Sequence, residues 1–144
     1  MTRTETEMLY LDNSVLRKAT DDPPDPAVAA YLRANSGDSW AIPATVAWEY
    51  LDFFDSRSRR RRERQYLERA FQEVAPLTLD IAEEAAELSR LLAKQGVSLD
   101  AADLLHAATA RANSGIFVTA DAADFDKPEI HQLVDVDVIG VTNT

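Results

Sequence analysis

Met8-Leu9-Tyr10-Leu11-Asp12 is the stretch on which the fold turns: four apolar residues closed by a carboxylate. A run that is apolar at every position, not at every second one, reads as a strand buried on both faces, the kind that parallel sheets contain. An aspartate at the carboxyl end of such a strand sits where open α/β sheets place ligands. Three further acidic stations follow, at Glu49, at Asp100 and Asp103, and at Asp121 and Asp124, each beside an expected element boundary. Hard cations such as Mg²⁺ take oxygen ligands, and several carboxylates are needed to hold a pair of them, so the pattern points to a carboxylate-built metal site.

Outward from that strand, Ser14 to Thr20 reads as a short helix, and the loop Asp21-Asp22-Pro23-Pro24-Asp25-Pro26 closes on a second helix through about Asn35. Gly37 and Asp38 turn the chain into a short strand, Trp40-Ala41-Ile42. Pro43 suits a first helical turn, and Val46, Tyr50, Phe53 and Phe54 then recur at helical spacing with Glu49 among them. An arginine-rich helix follows, with Tyr66, Leu67, Ala70 and Phe71 packing near its end; it completes a helical hairpin projecting from the sheet. Val74 to Leu79 is the next strand expected. Asp80 is placed to cap the helix in which Ile81, Ala85, Leu88 and Leu92 recur, with Gly96 ending it. Ser98 is the expected cap of the next helix, whose core stripe is Ala101, Leu104, Leu105, Ala108 and Ala112. Asp100 suits a cap as well as a ligand, and Asp100 and Asp103, three apart, point the same way. Asn113-Ser114-Gly115 turns into the buried strand Ile116-Phe117-Val118-Thr119, and Val136 to Val141 supplies the last strand.

Strands alternating with helices imply a three-layer α/β/α fold with a mostly parallel sheet. In it Asp12, Asp121 and Asp124 fall at one end of the sheet, where Glu49 and the helix start bearing Asp100 and Asp103 can reach them. The 144 residues suit one domain, 1–144, with 46% hydrophobic content, enough for a packed core. No cysteine is present, which excludes disulfides, thiolate metal sites and a cysteine nucleophile. Two histidines make a zinc site a poor fit; His106, among apolar neighbours, reads as a packing histidine, and Trp40 and Trp48 as core or dimer contacts. Nothing in residues 1–8 resembles a signal peptide or membrane span, so a cytoplasmic, soluble protein with no membrane association is the expectation.

The net charge of −10 argues against binding phosphate backbones by bulk attraction. Few lysines (Lys18, Lys94, Lys127) beside many aspartates resemble the surface of a protein from a high-salt, halophilic cytoplasm. Against that background Arg57, Arg59, Arg60, Arg61, Arg62 and Arg64 form one basic block, either a solvated helix face or an edge contacting phosphate or a partner.

These residues resemble a family. Leu9-Tyr10-Leu11-Asp12-Asn13-Ser14 is similar to the opening of PIN domains, Glu49 to their second acid, Asp103-Leu104-Leu105-His106-Ala107-Ala108-Thr109-Ala110 to their central helix motif, and Val118-Thr119-Ala120-Asp121-Ala122-Ala123-Asp124-Phe125 to their closing motif. Within it the chain most resembles the VapC-type ribonuclease toxins of toxin–antitoxin pairs, in length and in lacking added domains. The resemblance implies Mg²⁺- or Mn²⁺-dependent RNA cleavage with Asp12, Glu49, Asp103 and Asp121 as the acidic quartet, Asp124 supplementing or replacing Asp121 at the metal, and Ser14 and Thr119 as supporting hydroxyls. It also implies a homodimer and a cognate antitoxin, for which Arg59, Arg60, Arg61 and Arg62 offer a contact edge to RNA or protein. Asn13 in place of the usual threonine and Ala120 in place of a polar residue depart from the family pattern. Neither removes a carboxylate. A catalytically weak PIN-like binding module is the alternative; a phospho-acceptor or phosphatase domain fits less well, because Asp12-Asn13-Ser14 lacks a second aspartate and Lys127, after Phe125 in the acidic loop, is not placed as a lysine after a late strand would be.

Overall fold

The computed structural model describes residues 7–140. Its elements, in chain order, are β1 (Met8–Leu11), α1 (Asn13–Thr20), α2 (Pro26–Ala34), β2 (Ser39–Pro43), α3 (Ala44–Asp52), α4 (Arg57–Ala70), β3 (Glu73–Ala75), α5 (Leu79–Lys94), α6 (Ala101–Ala112), β4 (Ile116–Thr119), α7 (Ala122–Phe125), α8 (Pro128–Leu133) and β5 (Val136–Val138). The five strands form one sheet in the order β3-β2-β1-β4-β5, and every pairing is parallel.

Alternation along each strand divides the core in two. Leu9 and Leu11 face one side of the sheet with Ile42, Ile116 and Val118, and pack under α1 to α4 through Val15, Leu16, Val28, Val46, Tyr50 and Leu67. Tyr10, Ala41, Phe117 and Val136 face the other side and pack under α5 to α8 through Leu88, Leu92, Ala107, Phe125 and Ile130. The register Leu9↔Trp40 and Leu9↔Ile116 keeps these two sets in line across the sheet, since a slip of one residue would send every side chain to the wrong layer. Across the outer layer Arg111 of α6 pairs with Glu84 of α5 and donates to the carbonyl of Leu133.

Several boundaries differ from the sequence reading, and each difference has a local cause. The strand expected over Val74–Leu79 ends at Ala75, where Pro76 brings no N–H to a ladder; the hydroxyl of Thr78, not Asp80, then caps α5 by accepting from the N–H of Ile81. Asp100, not Ser98, caps α6. Pro43 is the last residue of β2. The last strand stops at Val138, and Val141 lies outside the described residues. The buried run on α6 is His106 to Ala110, while Ala101 and Ala112 are exposed, because this helix is covered by the sheet, α5 and α3 along its middle only. In the turn before β4 the left-handed residue is Ser114 (φ 56°), and Gly115 serves another purpose. A Cβ there would lie 2.4 Å from the Tyr10 ring and 2.8 Å from the Met8 carbonyl oxygen, so only glycine lets the turn pass this close to β1.

α3 and α4 form a hairpin that packs on the sheet through Val46, Tyr50 and Leu67, where a projecting one was expected. Leu67 is the buried residue of α4, with Phe71 just beyond its end, whereas Ala70 is exposed and Tyr66 partly so. Trp40 is partly buried in the core; Trp48, at 59% exposure, is not a core residue.

Candidate metal centre

Strand order fixes where the acids meet. From β1 the chain crosses to β2 over one face of the sheet, and from β4 to β5 over the other, so a crevice opens beyond the carboxyl ends of these two neighbours. Asp12 follows β1 and Asp121 follows β4, one on each lip.

Asp12 is buried and fully engaged on its protein side. Its Oδ1 accepts from the N–H of Asn13 (2.8 Å), which makes it the N-cap of α1, and its Oδ2 accepts from the hydroxyls of Ser14 (3.0 Å) and Thr119 (2.8 Å). One carboxylate thus both caps α1 and takes its place at the end of β1. Ser14 and Thr119 are in turn set by the backbone, accepting from the N–H groups of Ala120 and Asp121 at 3.0 Å each. The same small network ties β1 to β4 and orients the loop carrying Asp121.

On α6, Asp100 caps the helix by accepting from the N–H of Asp103 at 2.8 Å, and Asp103 occupies the first turn. Asp121 likewise caps α7, accepting from the N–H of Asp124. Carboxylates are favoured at helix N-termini by the orphan N–H groups and the helix dipole, which offsets part of the cost of gathering so many like charges. The acids fall into two sets. Ligand-capable atoms of Asp12, Glu49 and His106 lie within 4.8 Å of one another, and so do those of Asp103, Asp121 and Asp124.

Electrostatic repulsion acts between the two sets. Burial, followed by repulsion from Asp100, Asp12, Asp124 and Glu49, pushes the Asp103 carboxyl up to about 7 from its ordinary 3.8. Asp124 is also raised, first by its hydrogen bond with the Asp121 carboxyl and then by the charge of that group. The sequence-derived acids thus gather in two sets, Asp12 with Glu49 and Asp103 with Asp121 and Asp124, and Asp103 feels the charges of the first set and of Asp100. The donors are oxygens of a chain without cysteine, the set preferred by hard divalent ions.

The arginines do not join them. Arg59 pairs with Glu63 (2.9 Å) and lies over the Phe54 ring, Arg60 donates to the carbonyl of Phe54 (2.6 Å), and Arg61 and Arg62 are exposed on α4. Nearby, Arg17 lies over the Phe53 ring and bonds to the carbonyl of Tyr50. The buried Tyr50 donates to Glu63 (2.6 Å), so it belongs to the hairpin's packing, while Phe53 is 68% exposed.

His106 was underread from sequence. It is fully buried, as a packing residue would be, but both ring nitrogens are engaged: Nδ1 with the Thr45 hydroxyl and Nε2 with Oε1 of Glu49, each at 2.7 Å. Its spacing of three from Asp103, which places the two on adjacent turns of one helix side, was the available signal.

A family model described as the PIN domain matches residues 9–130. The chain belongs to the PIN-domain family. The fold also matches solved structures at low identity. The DNA-bound VapBC of Salmonella typhimurium shares 14% identity at a TM-score of 0.72, with 92% of this chain and 98% of that one covered. VapBC2 from Rickettsia felis, bound to a DNA fragment from its promoter, shares 17% at 0.71, covering 91% and 98%. FitAcB from Neisseria gonorrhoeae shares 22% at 0.70, covering 90% and 96%. No curated protein sequence matches the chain significantly. The residues matched to the PIN domain include Asp12, Glu49, Asp103, Asp121 and Asp124. No helix among the described residues is long and apolar enough to cross a membrane.

Proposed function

We propose that this PIN domain, taken as one unit over residues 1–144, is a divalent-metal-dependent endoribonuclease of the VapC type, the toxin of a toxin–antitoxin pair. The observation that carries the reading is the convergence of carboxylates from four separate chain segments at the sheet's switch point, with Asp103 pushed up to about 7 by burial and by its neighbours. Asp12, Asp103, Asp121 and Asp124 are assigned as the groups holding Mg²⁺ or Mn²⁺, and Glu49 completes the catalytic set with Asp12, Asp103 and Asp121. Such an ion, when bound, supplies charge neutralisation and a water that deprotonates near neutral pH. The chain's own part is to hold the acids where mutual repulsion would otherwise scatter them: Ser14 and Thr119 brace Asp12, and the starts of α6 and α7 set Asp100, Asp103 and Asp121. Asp12→Asn should abolish metal-dependent RNA cleavage with the fold intact by circular dichroism. Full activity in that variant would sink the assignment.

The partner assignment follows from the neighbours, which are toxin–antitoxin complexes of other proteins. We assign the antitoxin to the hairpin, where a cavity of about 490 Å³ is lined by Arg17, Phe53, Phe54 and Arg59 with the acidic Asp21 and Glu63, and Arg60, Arg61 and Arg62 follow Arg59 on α4. An exposed aromatic beside guanidinium groups suits an amphipathic segment with acidic flanks. A second copy of the chain, RNA as substrate, a cytoplasmic setting and a salt-adapted acidic surface complete the proposal. Sedimentation of the isolated protein at micromolar concentration as a dimer is expected; a monomer would remove the second copy from it.

A further inference from the structure

We infer that His106 is a positioning residue, holding the Glu49 carboxyl in the acidic centre through a relay that starts at Thr45; the role rests on the nuclease reading above. Glu49 lies among Asp12 and Asp103, whose charges repel it, and its side chain is 28% exposed. A glutamate so placed has every electrostatic reason to turn its carboxyl to water, and holding it inward costs rotamer freedom. The contact that opposes this is the 2.7 Å bond between its Oε1 and Nε2 of His106. The ring itself has no freedom to follow. It is completely buried on α6, with Ala107, Ala108 and Ala110 of the same helix equally covered.

The partners assign the hydrogens. An ionised carboxylate only accepts, so the ring hydrogen facing Glu49 sits on Nε2, and Nδ1 is left to accept from the Thr45 hydroxyl at 2.7 Å. Thr45 lies in the first turn of α3 and Glu49 one turn later on the same helix. The ring therefore clamps two points of α3 to α6, and the position of Glu49 is set relative to Asp103, which α6 also carries. Both nitrogens being engaged, His106 has no lone pair for a metal ion although it lies within ligand distance of Asp12 and Glu49. It acts on the site through Glu49, orienting that carboxyl as hydrogen-bonded partners orient the carboxylates of metal centres.

The test compares His106→Leu, His106→Gln and Thr45→Val in the full chain, reading Mn²⁺ affinity by calorimetry and RNA turnover as kcat and KM. His106→Leu should lower Mn²⁺ affinity, kcat or both by about 10- to 100-fold, the usual cost of losing an outer-shell partner, with KM for RNA little changed. His106→Gln, whose amide N–H reaches the place of Nε2, should recover most of that loss, and Thr45→Val should fall between wild type and His106→Leu. Folded His106→Leu with wild-type affinity and kcat would overturn the role, as would His106→Gln impaired as deeply as His106→Leu. If His106→Leu fails to fold, the other two variants decide: wild-type affinity and kcat in Thr45→Val together with a His106→Gln defect of 10-fold or more would contradict the relay. A wild-type protein that binds Mn²⁺ without cleaving RNA would overturn the nuclease reading alone, and the affinities would still decide the positioning role.

Discussion

The crevice at β1 and β4 and the hairpin of α3 and α4 both concentrate like charge, yet they handle it in opposite ways. In the crevice the acids arrive from four separated segments, are held by hydroxyls and backbone N–H groups, and leave Asp103 so burdened that its carboxyl rises to about 7. In the hairpin six arginines come from one short stretch, and the helix distributes them around its axis, where Arg59 meets Glu63, Arg64 meets Glu68 and Arg60 meets a carbonyl. Charges adjacent in sequence are spread by a helix, and here Arg59 and Arg64 meet carboxylates of the same helix. Charges distant in sequence that the fold brings together are concentrated at a cost, and that cost is the mark of chemistry.

The largest effects should follow from breaking this contrast at the crevice. Asp103→Asn should abolish metal-dependent cleavage while raising the melting temperature of the metal-free protein at pH 8, because it removes the most burdened charge. Reversing Arg60, Arg61 and Arg62 to glutamate should leave cleavage of a short RNA at its wild-type level and weaken antitoxin association, with a changed salt dependence. Loss of cleavage in the reversed hairpin would place arginines in the chemistry and dissolve the comparison.

Metal should shift stability next. At 100 times its dissociation constant, Mn²⁺ is expected to add about 2.7 kcal/mol to unfolding, provided the unfolded chain does not bind it. A melting temperature that ignores Mn²⁺ at constant ionic strength would count against a formed site.

Acidity gives a smaller, signed effect. The folded-state value for Asp103, about 7, exceeds its ordinary 3.8, so the folded protein binds that proton more tightly than the unfolded chain does. Its contribution to stability is complete below about pH 4 and is lost as pH rises through about 7, in the absence of metal. Melting in a chelator at pH 5 and pH 8 should show Asp103→Asn losing less stability than wild type over that interval. Equal losses in the two proteins would contradict the assigned burden. The smallest effect belongs to the hairpin: Phe53→Ala, at an exposed position under Arg17, should change stability by no more than about 1 kcal/mol, and its main consequence should appear in antitoxin binding.

Legibility followed the same division. Met8–Leu11 and Ile116–Thr119 could be read because a continuous apolar run followed by acids has few other meanings, and Asp12, Asp121 and Asp124 came with them, while Glu49 and Asp103 lie on helices. The sheet proved wholly parallel where a mostly parallel one was expected. Helix starts were less legible: Thr78 and Ser98 both offer hydroxyls near Asp80 and Asp100, and which oxygen meets an N–H depends on backbone angles that spacing does not reveal. Tyr50 and Phe53 show the limit of periodicity, since both lie at helical spacing while one is buried under Glu63 and the other faces solvent. His106 shows a different limit. Apolar neighbours along the sequence said buried, and only the approach of α3 in space supplies Thr45 and Glu49 as its partners.

Whether the carboxylates form one divalent-metal centre is decided by a crystal structure after soaking with Mn²⁺, the ion located by its anomalous scattering. Mn²⁺ is expected in the crevice, bound by Asp12 and Asp103 with Asp121 or Asp124. Saturating Mn²⁺ bound elsewhere, or ligated by Asp121 and Asp124 without Asp12 and Asp103, would contradict a single centre.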